Sequence, residues 1–149
     1  LTTTPKVTGL DGRKMSKSYG NTIGLREDPD AVAAKLKTMQ TDPARVRRTD
    51  PGDPDKCPVW DLHKIYSGAD VQAWVQQGCR TASIGCLECK KPLIDRVVEE
   101  VTTMRQRAQE YEDNPDLVRG IISEGCEKAR EVAGQTLDDV KQAIGLAYR

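Results

Sequence analysis

The first stretch of the sequence with residues suited to chemistry is a basic loop close to its beginning. Residues 9–21 read GLDGRKMSKSYGN, with three glycines and two serines set among the cations Arg13, Lys14 and Lys17. Glycines allow the backbone to turn sharply, and lysine ammonium groups act as point charges that stabilise phosphate oxygens. The loop therefore predicts contact with a polyphosphate, and its alternative interpretation is a solvated surface loop.

Residues 14–18, KMSKS, resemble the signature loop of the class I aminoacyl-tRNA synthetases. The flanking residues and the later run TDPARVRRTDPGDP, residues 41–54, resemble the bacterial tryptophanyl-tRNA synthetases within that class. The resemblance implies that Lys14 and Lys17 are catalytic and stabilise the leaving pyrophosphate. It also implies that the whole loop binds ATP, through Lys14, Met15, Ser16, Lys17 and Ser18.

An enzyme of this kind uses ATP with Mg²⁺ to activate tryptophan and transfers it to tRNA(Trp), in the cytoplasm and as a homodimer. The resemblance covers only the C-terminal portion of such an enzyme. The family's His-x-Gly-His motif is not found, His63 is the only histidine, and the chain begins at Leu1 rather than Met. We therefore expect a C-terminal fragment that is inactive alone, because the half-site for adenine and amino acid is missing.

Four of the five cysteines have the spacing C-x21-C-x6-C-x2-C, at Cys57, Cys79, Cys86 and Cys89. Four thiolates suit either a tetrahedral Zn²⁺ ion or a [4Fe–4S] cluster, and the spacing alone does not separate the two. The resemblance favours the cluster, since a subset of bacterial tryptophanyl-tRNA synthetases holds one with one residue more in the first interval. Four buried thiols without a ligand are the alternative, and Cys126 is interpreted as a small core residue.

Two basic groups are predicted to bind tRNA, through phosphate or base contacts. The first lies between two Asp-Pro turns and the second follows the last cysteine of the motif. For the first group the alternative is pairing with nearby aspartates, and for the second it is solvation on a helix. The predicted tRNA-binding residues are Arg45, Arg47, Arg48, Lys90 and Lys91.

Charge and composition support this placement of the sites. The chain has 23 basic and 23 acidic residues, but residues 1–50 hold 10 of the basic and only 6 of the acidic ones. The basic excess thus falls on the part that contains the loop and the arginines, where contact with a polyanion is expected. No signal peptide or membrane-spanning run is recognised, which predicts a soluble protein.

Two further functions remain open at this stage. The first is a non-catalytic RNA-binding helical module with a structural metal site. The second is a metal-sensing helical domain unrelated to translation, which leaves Lys14–Ser18 unexplained.

The elements that position these residues are predicted to be mainly α-helical. Residues 1–27 are interpreted as the tail of a missing Rossmann-like catalytic domain, and residues 28–149 as a helical, anticodon-binding bundle. Helices are predicted from Asp28 to Gln40, from Val59 to Tyr66, and from Asp70 to a C-cap at Gly78. Two long helices then follow, on either side of Asn114-Pro115. Apolar stripes at spacings of three and four predict that they pack on each other, Leu93–Tyr111 against Val118–Ile144.

Overall fold

A computed structural model describes residues 4–146 of the chain and has the mainly helical fold that the sequence predicts. In this range there are five α-helices, two single 3₁₀ turns at Lys17–Tyr19 and Pro54–Lys56, and one isolated antiparallel bridge between Thr8 and Lys14. The helices are α1 (Pro29–Thr38), α2 (Pro58–Tyr66), α3 (Ala69–Arg80), α4 (Cys86–Asp113) and α5 (Pro115–Ala143).

The beginning of α1 follows from its first residues. Asp28 is the N-cap, and its carboxylate accepts hydrogen bonds from the amides of Asp30 and Ala31, at 3.0 and 3.3 Å. Pro29 stands at the first helical position, where its missing N–H costs nothing. Asp28 also pairs with Arg105 of α4 at 3.1 Å, so the cap fixes both the start of α1 and its place against α4.

The core of the first part of the chain lies among α1, α2 and α4. Each of these helices contributes buried apolar side chains, and Leu93 of α4 is fully buried. Partly buried residues of the N-terminal loop, such as Val7 and Leu10, pack on the edge of this cluster. The buried apolar residues of the cluster are Val32, Leu36, Met39, Val59, Leu62, Leu93, Val97 and Val101.

Helix α3 differs from the prediction in the residue at which it ends and in the side chains that it buries. It continues through Gly78 to Arg80, so Gly78 is not a C-cap. A Cβ atom at Gly78 would lie 2.8 Å from the side chain of Ile84, and glycine is needed there because the following loop packs directly on the helix. Trp74, which we expected to face inward, is 43 % exposed, while Val75 is buried.

Helix α4 begins at Cys86, well before the predicted Leu93, while its end and the bounds of α5 lie close to the predicted positions. Asn114 caps α5 by accepting a hydrogen bond from the amide of Leu117 at 3.2 Å. Their apolar stripes differ in burial. On α4 the stripe is buried at Leu93, Val97 and Val101 by α1 and α2. No residue of α5 is buried and Cys126 is exposed, so Cys126 is not the core residue that we expected, while the packing of α5 on α4 stays a prediction.

The chain divides into two compact units between Gln106 and Arg107. The first unit contains α1 to α3, the N-terminal loop and most of α4. The second contains the end of α4 and all of α5. None of the helices in residues 4–146 combines the length and apolar character needed to cross a membrane.

Candidate functional site

The signature loop is closed on itself by backbone hydrogen bonds. The amide of Gly9 donates to the carbonyl of Arg13 at 2.7 Å, and the amide of Met15 donates to the carbonyl of Val7 at 2.9 Å. Residues 17–19 then form a 3₁₀ turn that ends at Gly20, whose φ of 63° lies in the left-handed region that favours glycine. Hydrogen bonds within the protein chain therefore define the backbone of the loop.

Asn21 holds the two sides of this loop together and is itself buried. Its Nδ2 donates to Asp11 Oδ1 at 2.7 Å and to the carbonyl of Lys14 at 3.2 Å, while its Oδ1 accepts from the amide of Ser16 at 2.8 Å. A Cβ atom at Gly9 would lie 2.4 Å from Asn21 Nδ2, so the side chain needs a glycine opposite it. Sequence analysis missed this role of Asn21, because its partners lie 5, 7 and 10 residues away along the chain.

The carboxylate of Asp11 belongs to the same arrangement. Hydrogen bonds from Asn21 and Arg13 lower the pKa of Asp11 to about 2. Arg13 pairs with this carboxylate at 2.6 Å and also lies 4.2 Å from the centre of the Tyr19 ring. Arg13 is thus held within the loop, in contrast to the two lysines of the motif.

Lys14 and Lys17 point their ammonium groups to solvent. Both residues are exposed. Ser18 is exposed as well, and Met15 and Ser16 are half-buried. Met15 lines an apolar groove of about 180 Å³ with Val97 and Val101 of the core. The loop is therefore anchored through Met15 and offers its two cations outward.

The loop is also attached to α2. Thr8 Oγ1 donates to Asp61 Oδ2 at 3.0 Å. A Cβ atom at Gly12 would approach Pro58 Cγ to 2.9 Å, so the turn lies directly on the first residue of the helix. Because Pro58 follows Cys57, the signature loop and the first predicted metal ligand lie at the same end of α2.

All four cysteines of the predicted site line one small cavity. Cys57 precedes α2, and Cys79 lies near the end of α3. Cys86 and Cys89 lie in the first turn of α4, ahead of the predicted start of that helix at Leu93. The remaining lining comes from Thr41, Asp42, Arg45 and Val59.

The geometry of the thiols is that of a shared pocket. In the part of the chain that the structure describes, no three His, Cys, Asp or Glu side chains have the arrangement of a site for a metal ion. Burial raises the pKa of Cys89 to about 12, with the other three thiols adding to the effect, and burial also raises the pKa of Cys79. Any metal group bound here must therefore displace thiol protons.

His63 lies next to the pocket as a buried, neutral partner. Its Nδ1 is 2.8 Å from Ser67 Oγ and its Nε2 is 3.6 Å from Cys89 Sγ. Burial lowers the pKa of His63 below its ordinary value of 6.5. The side chain is fully buried, and both ring nitrogens have neighbours within the chain, as is typical of a satisfied core histidine.

Arg45 is buried beside the cysteines, and its guanidinium makes three contacts. Nη2 donates to the carbonyls of Ile84 and Arg48, at 2.6 and 2.9 Å, and Nη1 lies 3.8 Å from Cys79 Sγ. A Cβ atom at Gly52 would meet Cys79 Sγ at 2.6 Å, so glycine leaves room for both side chains. Since only 8 % of Arg45 is exposed, its guanidinium is not placed for direct contact with tRNA.

Lys90 is likewise buried, and its ammonium group caps the end of α1. Nζ donates to the carbonyls of Lys37 and Met39, at 2.7 and 2.6 Å. Burial lowers the pKa of Lys90 from its ordinary value of 10.5. The predicted tRNA contact therefore does not fit this side chain, which fixes α4 to α1 instead.

The other three predicted RNA-binding residues lie on the surface. Arg47 and Lys91 are exposed, and Arg48 pairs with Glu88 of α4 at 3.1 Å rather than with the nearby aspartates. A cleft between the arginine loop and α4 is lined by Arg47 and Arg48 together with Val46 and Leu87, which are 84 % and 68 % exposed. Cationic side chains and exposed apolar surface thus meet next to Cys86.

Comparison with known proteins identifies this combination of loop and helices. The family model "tRNA synthetases class I (W and Y)" matches residues 1–102, and the chain belongs to this family. Among curated relatives, the tryptophan–tRNA ligase of Ralstonia nicotianae is 59 % identical over 99 % of this chain and 37 % of its own length. That of Thermotoga maritima is 43 % identical over 99 % of this chain and 45 % of its own length.

A solved structure agrees with these relatives. The tryptophanyl-tRNA synthetase of Campylobacter jejuni, in complex with ADP and tryptophan, matches with a TM-score of 0.78 at 26 % identity. The match covers 98 % of this chain and 45 % of that one. The chain therefore spans less than half the length of the relatives that it matches.

Proposed function

We propose that this chain is the C-terminal, tRNA-recognising part of a tryptophan–tRNA ligase. The observation that carries the proposal is the ordered KMSKS loop with two exposed lysines, in a chain that is 59 % identical to such a ligase over nearly all of its length. The intact enzyme activates tryptophan with ATP and Mg²⁺ and transfers it to tRNA(Trp), in the cytoplasm and as a homodimer. This chain alone is expected to be inactive.

In this enzyme the loop acts on the phosphates of ATP. Lys14 and Lys17 are the catalytic residues, and each places an ammonium group on the charge that develops on the leaving pyrophosphate. Lys14 lies on the side of the loop that Asn21 binds through the Lys14 carbonyl, whereas Lys17 begins the 3₁₀ turn. Met15, Ser16 and Ser18 keep the loop in its ATP-binding form.

A chimera tests the proposal directly. The segment of the Ralstonia nicotianae tryptophan–tRNA ligase that aligns with this chain is replaced by residues 1–149, and ATP–pyrophosphate exchange with tryptophan is measured. We expect exchange from the chimera and none from the isolated chain. Lys17→Ala in the chimera should lower the rate about 100-fold, with little change in the dissociation constant for tryptophan.

The control is Lys37→Ala, which removes an exposed lysine from α1 outside the loop. It should leave the exchange rate unchanged. A folded chimera that binds tryptophan but gives no exchange would contradict the enzymatic proposal and favour a non-catalytic RNA-binding module. An unchanged rate in the Lys17→Ala chimera would remove the catalytic role of that lysine.

We further propose that Cys57, Cys79, Cys86 and Cys89 hold a [4Fe–4S] cluster. The feature that supports the fit is that all four thiols line one cavity, and a tetrahedral Zn²⁺ ion is the alternative occupant of the same thiols. In a cluster each thiolate binds a different iron, so four thiols around a shared cavity are the donor set that it needs. The cluster supplies cross-links among α2, α3 and α4 and thereby local folding energy.

The cleft lined by Arg47 and Arg48 is proposed to bind tRNA, and Lys91, which lines the neighbouring cleft that shares Leu87, is proposed to contact the same RNA. The arginine-lined cleft is cationic and lies beside the cysteine pocket, and Val46 and Leu87 add apolar surface for an unstacked base. Cys86→Ser tests the link between pocket and surface: it should weaken binding of a tRNA(Trp) transcript at fixed salt while most helical circular dichroism remains. Cys126→Ser, at an exposed cysteine of α5, is the matched control and should bind normally.

Metal analysis completes this test. Iron and sulfide are measured in wild-type chain purified without oxygen, and both are expected. Zinc or no metal in that preparation would reject the cluster. Normal tRNA affinity in the Cys86→Ser variant would reject the connection between the pocket and the RNA surface.

A further inference from the structure

The cysteine pocket is flanked by two buried cations that have no other strong anionic partner in contact. The guanidinium of Arg45 and the ammonium of Lys90 donate only to carbonyls and to one thiol within residues 4–146. Asp42 and Glu88 are near enough for Arg45 to help lower their pKa values, but neither carboxylate forms an ion pair with it in the described residues. A buried charge without an opposite charge is costly. Negative charge in the pocket would stabilise these two buried cations.

The Nε atom of Arg45 gives a second indication. It is buried and has no hydrogen-bond partner in the part of the chain that the structure describes. Buried N–H groups are rarely left unsatisfied, and such a group in a native structure points to an acceptor that the protein chain does not provide. Arg45 lines the same cavity as the four thiols, so a group of net negative charge bound there supplies both the charge and the acceptor.

The same guanidinium also fixes the RNA-facing loop. Nη2 binds the carbonyl of Arg48 and the carbonyl of Ile84, which precedes the turn into α4. Arg48 and Arg47 are thus held next to α4 through a side chain that itself contacts Cys79. Loss of this connection frees the loop that carries the two arginines.

We propose that Arg45 is a positioning residue that supplies buried positive charge to the anionic group bound by the four cysteines and, through the same guanidinium, holds Arg47 and Arg48 in their RNA-binding place. This inference rests on the proposed cluster and RNA surface. It adds a residue that acts on both without touching RNA. Charge and hydrogen bonding are separate properties of the side chain, so different variants test them.

The experiment compares wild type, Arg45→Gln, Arg45→Lys and the control Arg96→Gln, an exposed arginine of α4, in chain purified without oxygen. Iron and sulfide content, the midpoint potential of the cluster and the affinity for a tRNA(Trp) transcript at fixed salt are measured. Arg45→Gln should lower the midpoint potential, because reduction adds negative charge beside a lost cation. It should also weaken RNA binding about tenfold, within the usual range for coupled sites.

Arg45→Lys restores the charge but not the planar fork that reaches both carbonyls. Its potential should be close to that of wild type, while its RNA affinity is reduced like that of Arg45→Gln. Assembly of the cluster in Arg45→Lys but not in Arg45→Gln also supports the need for charge. Arg96→Gln should leave both quantities unchanged.

The possible failures are distinguishable. Wild type without iron and sulfide would reject the cluster of the proposed function, before any variant is compared. If wild type and Arg45→Gln both contain the cluster and their midpoint potentials are equal, the electrostatic role of Arg45 is overturned. Equal RNA affinities among wild type, Arg45→Gln and Arg45→Lys would overturn its positioning role and leave the proposed function in place.

Discussion

The helices α4 and α5 have almost the same length, 28 and 29 residues, and similar apolar periodicity, yet they differ in burial. On α4 the stripe contributes Leu93, Val97 and Val101 to a core with α1 and α2. On α5 the corresponding positions, such as Ile122 at 59 % exposed, remain accessible. The comparison teaches that a periodic stripe specifies which face of a helix is apolar, but not which neighbour covers it.

Glycine use differs between the same two regions. In the first unit Gly9, Gly52 and Gly78 stand where a Cβ atom would meet a neighbour at 2.4 to 2.8 Å. The three glycines inside α5 have nothing within 4 Å of that position. Close packing thus accounts for glycine in the first region only, and four substitution experiments test this difference between a packed and an uncovered region.

The largest effect is expected from Val101→Asp. Val101 is 4 % exposed within the apolar core. A carboxylate there has no partner, and the unfolding free energy should fall by about 4 kcal/mol or more. Ile122→Asp on α5 is the matched control. Its unfolding free energy, measured by thermal unfolding, should differ from that of wild type by less than about 0.5 kcal/mol. Equal losses in the two variants would show that the α5 stripe is buried in solution.

The second prediction compares a glycine of the first unit with a glycine of α5. Gly78→Ala should destabilise the first unit by about 1–3 kcal/mol, because the added methyl group overpacks Ile84. Gly125→Ala on α5 should instead stabilise the helix by about 0.5–1 kcal/mol, since alanine is the better helix former. Denaturant unfolding with a helical circular dichroism signal measures both. A destabilising Gly125→Ala would indicate that something covers that face.

The third test uses the buried polar groups of the first unit, which α5 lacks in the described residues. The Asp42 carboxylate accepts hydrogen bonds from the amides of Asp53 and Ala44, both at 2.9 Å, and these lower its pKa below 3.8. Its stabilising effect is therefore fully present above pH 3.8 and is lost as the pH falls through the folded-state pKa. Asp42→Asn should melt earlier than wild type at pH 6.

The difference between wild type and Asp42→Asn should shrink as the pH is lowered below 3.8, because the carboxyl of the unfolded wild-type chain then binds a proton, which favours unfolding. Thermal melting of both proteins between pH 6 and pH 3 checks this. A difference that stays constant over that range would mean that the ionised carboxylate is not what closes the loop.

The smallest changes in unfolding free energy are expected at exposed ion pairs, and they should be similar in the first unit and in α5. Glu88 of α4 pairs with Arg48, and Asp116 of α5 pairs with Arg119; both acids lie in the first turn of their helix. Glu88→Gln and Asp116→Asn should each change the unfolding free energy by less than about 1 kcal/mol. A much larger loss in Glu88→Gln than in Asp116→Asn, measured by denaturant unfolding, would show that Glu88 acts within the packed region.

Local sequence signals predicted the helices well because their causes are local. The Asp28-Pro29 start of α1 and the Asn114-Pro115 start of α5 depend on neighbours within one turn, and both predictions are confirmed. The end of α3 was placed too early, since Gly78 is required by contact with Ile84 and not by a left-handed backbone. The local sequence pattern does not contain information on packing between distant parts of the chain.

The candidate site shows the same limit. The spacing of the cysteines predicted that four thiols meet, and they line one cavity. The roles of Arg45 and Lys90 were not predictable, because a basic residue beside a motif is expected on the surface unless its carbonyl partners are known. The role of Asn21 was not predictable either, because its three hydrogen bonds join parts of the loop that are 5 to 10 residues apart.

The hydrogen bonds of Asn21 have a consequence for the entropy of ligand binding. A loop that is flexible in the free protein loses conformational freedom when a ligand orders it, and that loss weakens binding. Here the backbone on both sides of Lys14 and Ser16 is already fixed by Asn21 during folding. In the phosphate-binding role proposed for the loop, only the exposed side chains of Lys14 and Lys17 would remain to be ordered, so the binding step would retain more of its interaction free energy.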